Sequence, residues 1–312
     1  MGFGFVFPGQ GSQSVGMLAE LAAGADGALV RETFAQASEV LGYDLWALAA
    51  GGPAEQLNAT ECTQPAMLAA GVALWRLWRR RGGPEPEVLS GHSLGEFTAL
   101  VAAEALEFTE AVALVRRRGQ LMQQAVPLGT GAMAAILGLE DAVVIETCAE
   151  AADGQVVEAV NFNAPGQVVI AGTKAAVERA CAMLKERGAK RALALPVSAP
   201  FHSSLLAPAA ARLAEYLERV PVKAPRVPVI HNVDVARHAD AAGIRGALAA
   251  QAAGAVRWVE CVQALRDAGC TDIVECGPGK VLAGLSRRID PALLSHALVD
   301  LDSAQTIKGN LQ

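Results

Sequence analysis

The sequence predicts an α/β protein whose parallel-sheet core is interrupted once by a ferredoxin-like unit. Three observations carry that expectation. A short apolar run, Phe3 to Phe7, is stopped by Pro8-Gly9. Helix-like and strand-like segments alternate towards both ends of the chain. Between them lies a stretch that reads strand, helix, strand, strand, helix, strand.

Taken in order, Phe3 to Phe7 is a buried strand followed by a loop. Gln64-Pro65 opens a strong helix over Ala66 to Trp78, with Thr63 or Gln64 near its cap and Pro65 in the first turn. Val88-Leu89 is a short strand that runs into Gly91-His92-Ser93-Leu94-Gly95, and Glu96 to Ala105 reads as helix. Thr109 is placed to cap the next helix, which carries Val112, Leu114, Val115 and then Arg116-Arg117-Arg118. From there the rhythm changes. Met133 to Leu137, Val156 to Val160, Val168 to Ala171 and Arg191 to Val197 read as strands, with helices over Asp141 to Ala152 and Lys174 to Arg187. That βαββαβ order has the size of an inserted subdomain. Alternation then resumes, and Asp272 to Glu275 is a strand leading into Gly277-Pro278-Gly279. The expected division is a large α/β unit over 1–128 and 199–312 and a ferredoxin-like unit over 129–198.

Bulk properties narrow the function classes. The chain has 312 residues, enough for one large domain or two modest ones, and is 52% hydrophobic against 19% charged, which reads as globular. A net charge of −6 argues against a nucleic-acid partner. No apolar run is long enough to span a membrane. The six cysteines are scattered with no C-x-x-C pair, so metal and redox roles have little support. With no secretory leader, a cytoplasmic location with free thiols is expected.

The chemistry centres on Gly91-His92-Ser93-Leu94-Gly95, which fits G-x-S-x-G. A serine on a tight strand-to-helix turn is held at strained backbone angles, and flanking glycines leave room for them. The turn lifts the hydroxyl off the sheet, and the following helix aims a positive dipole end at an oxyanion there. Such an elbow makes the core α/β-hydrolase-like; the blander reading is an ordinary strand–turn–helix joint with a chance serine. A serine nucleophile needs a base. Among His92, His202, His231, His238 and His296, the pattern slightly favours His202, at a loop-to-helix junction in Pro200-Phe201-His202-Ser203. His296 competes, because hydrolases with this elbow take their histidine last in chain order. Phe7-Pro8-Gly9-Gln10-Gly11-Ser12-Gln13 fails the dinucleotide pattern, since Ser14 stands in the third glycine place. It reads better as a second oxyanion donor or as a plain turn. Runs of arginine are usually a solvated face, as expected for Arg116 and Arg117, whereas an inward Arg118 would clamp a carboxylate.

Taken together, these blocks resemble the malonyl-CoA:acyl carrier protein transacylases of bacterial fatty acid synthesis, over nearly the whole chain. The match extends through Gly91-His92-Ser93-Leu94-Gly95-Glu96, Arg118-Gly119-Gln120-Leu121-Met122-Gln123 and Asn161-Phe162-Asn163-Ala164-Pro165-Gly166-Gln167. It ends with Pro200-Phe201-His202-Ser203 and Glu275-Cys276-Gly277-Pro278-Gly279-Lys280-Val281-Leu282. The resemblance implies Ser93 as nucleophile, His202 as its base, and the backbone N–H groups of Gln10 and Leu94 as an oxyanion hole. It implies that Arg118 binds the malonyl carboxylate and that a backbone carbonyl, at Gln251 here, orients the histidine in place of an acid. Phe201, beside the base, is expected to wall the acyl pocket. One departure is that Gly254-Ala255 stands where the family often has Asn-Pro after this glutamine. A monomer with no cofactor is implied, with malonyl-CoA as donor and the phosphopantetheine thiol of acyl carrier protein as acceptor. Lys185, Arg187, Lys190, Arg191, Lys280, Arg287 and Arg288 are the basic residues expected to meet an acidic carrier.

Two rivals remain at the level of sequence. An esterase would need an acid and a late histidine, for instance Asp272 and His296. A non-catalytic carrier-docking module would leave Ser93, His202 and Gln10 unexplained.

Overall fold

The apolar run at the start of the chain forms β1 (Gly2–Phe7), the middle strand of a five-stranded sheet. The computed structural model describes residues 2–127, 129–197 and 199–311. Leu128 and Ser198, where the expected boundaries of the inserted unit fall, and the terminal Met1 and Gln312 lie outside them.

After β1 come α1 (Ala19–Ala23), α2 (Gly27–Leu41), α3 (Leu45–Gly51), α4 (Ala54–Leu57) and α5 (Thr60–Arg80). Next are β2 (Val88–Gly91), α6 (Gly95–Ala102) and α7 (Phe108–Gln124). The middle section is β3 (Gly131–Leu137), α8 (Asp141–Ala151), β4 (Val157–Ala164), β5 (Gln167–Thr173), α9 (Lys174–Glu186) and β6 (Arg191–Ala194). The chain then returns through α10 (Ala207–Leu217), β7 (Val229–Ile230), α11 (Ala241–Gln251), α12 (Trp258–Asp267) and β8 (Cys270–Cys276). It finishes with α13 (Val281–Ile289), β9 (Leu294–Leu298) and α14 (Leu301–Asn310).

The large sheet has the order β7-β2-β1-β8-β9, and every pair is parallel. Parallel sheets are covered on both faces. That explains why Phe5, Val6 and Phe7 are successive residues of one strand and all fully buried. Phe5 meets Trp75 and Trp78 of α5 at centroid distances of 5.4 and 5.3 Å. The other sheet is antiparallel, in the order β4-β5-β3-β6, with α8 and α9 packed on it. This is the ferredoxin-like arrangement that the βαββαβ order predicts.

Hydrogen bonds tie the small sheet to segments that flank the large one. Val256 donates to the Val160 carbonyl at 2.8 Å, and Phe162 donates to the Val256 carbonyl at 3.0 Å, so a parallel bridge ties β4 to the segment after α11. Arg288 of α13 reaches across to the Gln167 side chain and the Pro165 carbonyl.

Three local expectations are corrected. α5 begins at Thr60 with Ala59 as its cap, so Pro65 lies inside the helix. Neither proposed cap was free for that role. The Thr63 hydroxyl donates to the Leu57 carbonyl at 2.6 Å, and the Gln64 amide oxygen accepts from Arg118 at 3.0 Å. α7 starts one residue before Thr109, at Phe108, with no side-chain cap. Arg116 is not simply solvated: it donates to the Leu41 carbonyl at 2.9 Å and lies over the Tyr43 ring.

Candidate active site

β2 ends at Gly91, and α6 begins at Gly95, so Ser93 sits in a short turn between a strand and a helix. Its φ is +51°, in the left-handed region that a side chain adopts at a cost. The glycines on either side have no substitute. A Cβ on Gly91 would fall 1.9 Å from the Gly95 carbonyl carbon, and one on Gly95 would fall 1.9 Å from the Phe7 carbonyl oxygen. The elbow is thus folded against itself and against the end of β1.

Asn232 locks that turn. Its side-chain oxygen accepts from the Ser93 N–H at 2.7 Å, and its amide donates to the Gly91 carbonyl at 2.7 Å. The loop after β1 packs on the other side, where the Cβ direction of Gly9 points at the His92 carbonyl and lies 3.7 Å from the Leu94 nitrogen. Gln10 and Leu94 therefore line the same cavity as Ser93. The N–H groups of Gly95, Glu96 and Phe97 are taken by the carbonyls of His92, Ser93 and Leu94.

His202 lies opposite Ser93. Ser93 Oγ and His202 Nε2 are 2.7 Å apart, and His202 Nδ1 is 2.8 Å from the Gln251 carbonyl. A carbonyl only accepts, so Nδ1 carries the proton and Nε2 offers its lone pair to the serine hydroxyl. Burial, followed by the nearby Arg118 charge, holds the His202 pKa down to about 3. The imidazole is therefore neutral at physiological pH and able to take a proton. His202 is also left-handed, with φ +67°. Despite Gly254-Ala255, the segment at the end of α11 brings the Gln251 carbonyl to the ring.

Arg118 points inward from α7 and is 2% exposed. Its guanidinium donates to Gln64 Oε1 at 3.0 Å, Ser93 Oγ at 3.1 Å and Gln251 Oε1 at 2.8 Å, and it lies over the Phe97 ring at 5.3 Å. Its Nε has no partner among the described residues. Burial lowers its pKa to about 10, partly offset by the charge of Glu96, so it stays cationic at neutral pH. A buried cation that touches only neutral groups is a ready anion site. The cavity in front of it is about 120 Å³ and is closed on its apolar side by Met122, Met133 and Phe201. A void of roughly 150 Å³ holds benzene, so this one suits an acyl group of a few carbons.

The rival pair exists but lies in the wrong place. His296 Nε2 is 2.9 Å from Asp272 Oδ1. In the sheet register Asp272 aligns with Phe3, whereas the elbow follows Gly91, which aligns with Phe7. Four residues of strand, about 13 Å, separate those levels. Of the basic residues considered for carrier contact, Arg187 is held by Glu150, and Arg287 by the Ser295 carbonyl. Lys185, Lys190, Arg191 and Lys280 are exposed.

Sequence reasoning missed Gln64, Glu96, Asn232 and His231 as parts of the site. Glu96 stood in the elbow block, where an acidic residue in a first helical turn looks like ordinary dipole chemistry. The other three come from distant segments that only the tertiary fold assembles. His92 lies at the cavity wall, with Nε2 2.8 Å from Asn163 Oδ1. No helix among the described residues is long and apolar enough to cross a membrane.

Comparison with known proteins finds relatives over nearly the whole chain. The model of the acyl transferase domain family matches residues 4–287. The malonyl CoA-acyl carrier protein transacylase of Salmonella typhimurium is 57% identical over 296 residues, 95% of each chain. The crystal structure of an acyl-carrier-protein S-malonyltransferase from Burkholderia pseudomallei superposes with a TM-score of 0.96 at 59% identity, covering 99% of this chain and 100% of that one. A malonyl-transacylase solved in complex with a type II PKS acyl-carrier protein gives 0.97 at 52% identity, covering 99% and 100%.

Proposed function

The chain belongs to the malonyl-CoA–acyl carrier protein transacylases, and from that premise we propose that it moves malonyl groups through an ester on Ser93. The observation that carries the reading is the Ser93–His202 contact of 2.7 Å with the buried Arg118 guanidinium 3.1 Å from the same hydroxyl.

Ser93 Oγ attacks the thioester carbonyl of malonyl-CoA while its proton passes to His202 Nε2. The Gln251 carbonyl holds the imidazolium in place, the role an acid takes in a Ser-His-Asp triad. The backbone N–H groups of Gln10 and Leu94 receive the tetrahedral oxyanion, each worth on the order of a hundredfold in rate. Collapse expels the coenzyme A thiolate, which takes the proton from His202, and leaves malonyl-Ser93. The phosphopantetheine thiol of acyl carrier protein then gives its proton to His202 and attacks the ester, and Ser93 leaves with the proton restored. Arg118 turns from its neutral partners to the malonyl carboxylate, which fixes the acyl group and selects for it. Phe201 limits the width of the acyl pocket. No cofactor takes part. The carrier is supported by the relative solved in complex with an acyl-carrier protein. We place this activity in the cytoplasm and divide the chain into a large unit, 1–128 and 199–312, and a small one, 129–198. The two separate sheets support that division.

Intact mass after mixing with malonyl-CoA tests the reading. A malonyl adduct is expected on the protein, absent in Ser93→Ala, and discharged by added holo-carrier protein. Rapid hydrolysis without accumulation would favour an esterase, and no mass change a docking module.

A further inference from the structure

Glu96 is fully buried one turn beyond the nucleophile, and its carboxylate faces only donors. Oε1 is 2.7 Å from His231 Nδ1, while Oε2 accepts from the Asn232 backbone N–H at 2.8 Å and from Gln251 Nε2 at 2.9 Å. Both residues held by Oε2 then act on the site. Asn232 grips the Ser93 N–H and the Gly91 carbonyl of the elbow. Gln251 presents its main-chain carbonyl to His202 and its side-chain oxygen to Arg118.

The side chain of Gln251 is an amide, so its two ends are interchangeable in shape and opposite in polarity. Rotated by half a turn, it would aim NH₂ at the Arg118 guanidinium, donor against donor, and its oxygen at the Glu96 carboxylate, acceptor against acceptor. Arg118 and the Ser93 carbonyl, 3.0 Å from the same Nε2, oppose that orientation, and Glu96 opposes it with a full negative charge. We propose that Glu96 is the positioning residue of this site: through the Gln251 amide it fixes the hydrogen-bonding state of Arg118, and through Asn232 it holds the elbow. His231, buried against it, supplies the proton that lets the carboxylate stay buried. Burial alone would lower the His231 pKa, but the Glu96 charge and hydrogen bond outweigh it and the net direction is upward.

This inference rests on the proposed role of Arg118 and is tested separately from it. Glu96→Gln keeps an oxygen able to accept from both Asn232 and Gln251 and removes the charge that opposes the flipped amide. Gln251→Leu keeps the main-chain carbonyl and removes the amide. Pre-steady-state acylation by malonyl-CoA and acetyl-CoA is measured in wild type, each single variant and the double variant, alongside thermal melting. Glu96→Gln should remain folded and lower the malonyl-to-acetyl ratio of kcat/KM by about tenfold or more. In the Gln251→Leu background the same substitution should leave that ratio within about twofold, because the shared intermediary is gone. Equal effects of Glu96→Gln in both backgrounds would overturn the inference, as would a fall in melting temperature with the ratio unchanged. Loss of Ser93 acylation in the wild type would instead sink the proposed function.

Discussion

At the scale of single residues, the proposed selectivity rests on the buried guanidinium of Arg118. Malonyl and acetyl thioesters offer Ser93 the same carbonyl and differ in one terminal carboxylate. Leaving a buried charge without its partner costs about 3–5 kcal/mol. Arg118→Ala should therefore lower kcat/KM for malonyl-CoA by roughly two to four decades. Acetyl-CoA never makes that ion pair, and its transfer should hold or improve. Parallel kinetics with the two donors check this; equal losses for both would make Arg118 structural. Ser93 and His202 were legible because each stands in a compact local motif. Arg118 itself was ambiguous in sequence, since nothing in Arg116-Arg117-Arg118 says which member turns inward; the packing of α7 on α5 decides it. Asn232 and Gln64 had no local signal at all, because each matters only through a partner more than fifty residues away in the chain.

At the scale of elements, the strand–elbow–helix joint is a contact between backbones, with no side chain able to yield. α6 reaches the end of β1 so closely that any Cβ at its first residue enters the Phe7 carbonyl. Gly95→Ala must push α6 away from the sheet and move Ser93 and Leu94 with it. Overpacking of this kind costs typically about 1–3 kcal/mol. The expected result is a lower melting temperature together with a fall in acylation rate larger than the stability loss explains. Unchanged acylation in a folded Gly95→Ala protein would show that the elbow tolerates displacement. Where elements were read one by one, order and type agree with the structure, including the whole βαββαβ unit, but α1 to α4 and the individual elements from α10 to α12 were not anticipated. Element ends were less readable. Pro65 reads as a helix start by preference, yet α5 extends five residues before it, where the Thr63 hydroxyl meets the nearby Leu57 carbonyl and the Gln64 side chain accepts from the distant Arg118.

At the scale of the whole molecule, the Ser93–His202 contact spans two parts of the chain that the fold must hold in register. Ser93 belongs to the large sheet, while His202 follows the small one, and the β4 bridge to Val256 lies close in sequence to Gln251. The parallel and antiparallel sheets were both anticipated from sequence; the bridge was not, since one pair of hydrogen bonds between distant segments leaves no pattern to read. Ser93 and His202 are both held left-handed, at φ +51° and +67°. Glycine would adopt these angles without strain, and under the proposed mechanism the strain is the cost of keeping a hydroxyl and an imidazole at these two positions. The forfeited stability can be measured. In ordinary surroundings alanine is more stable than glycine by about 0.5–1 kcal/mol. At position 93 the order should invert, with Ser93→Gly more stable than Ser93→Ala by about 1 kcal/mol, the usual toll of the left-handed region for an L-residue. Both variants lack the hydroxyl, so their unfolding midpoints report the backbone alone, and alanine ahead of glycine would mean that the turn relaxes when its serine is gone. The inverted order would measure how much stability the turn gives up by holding a side chain at position 93.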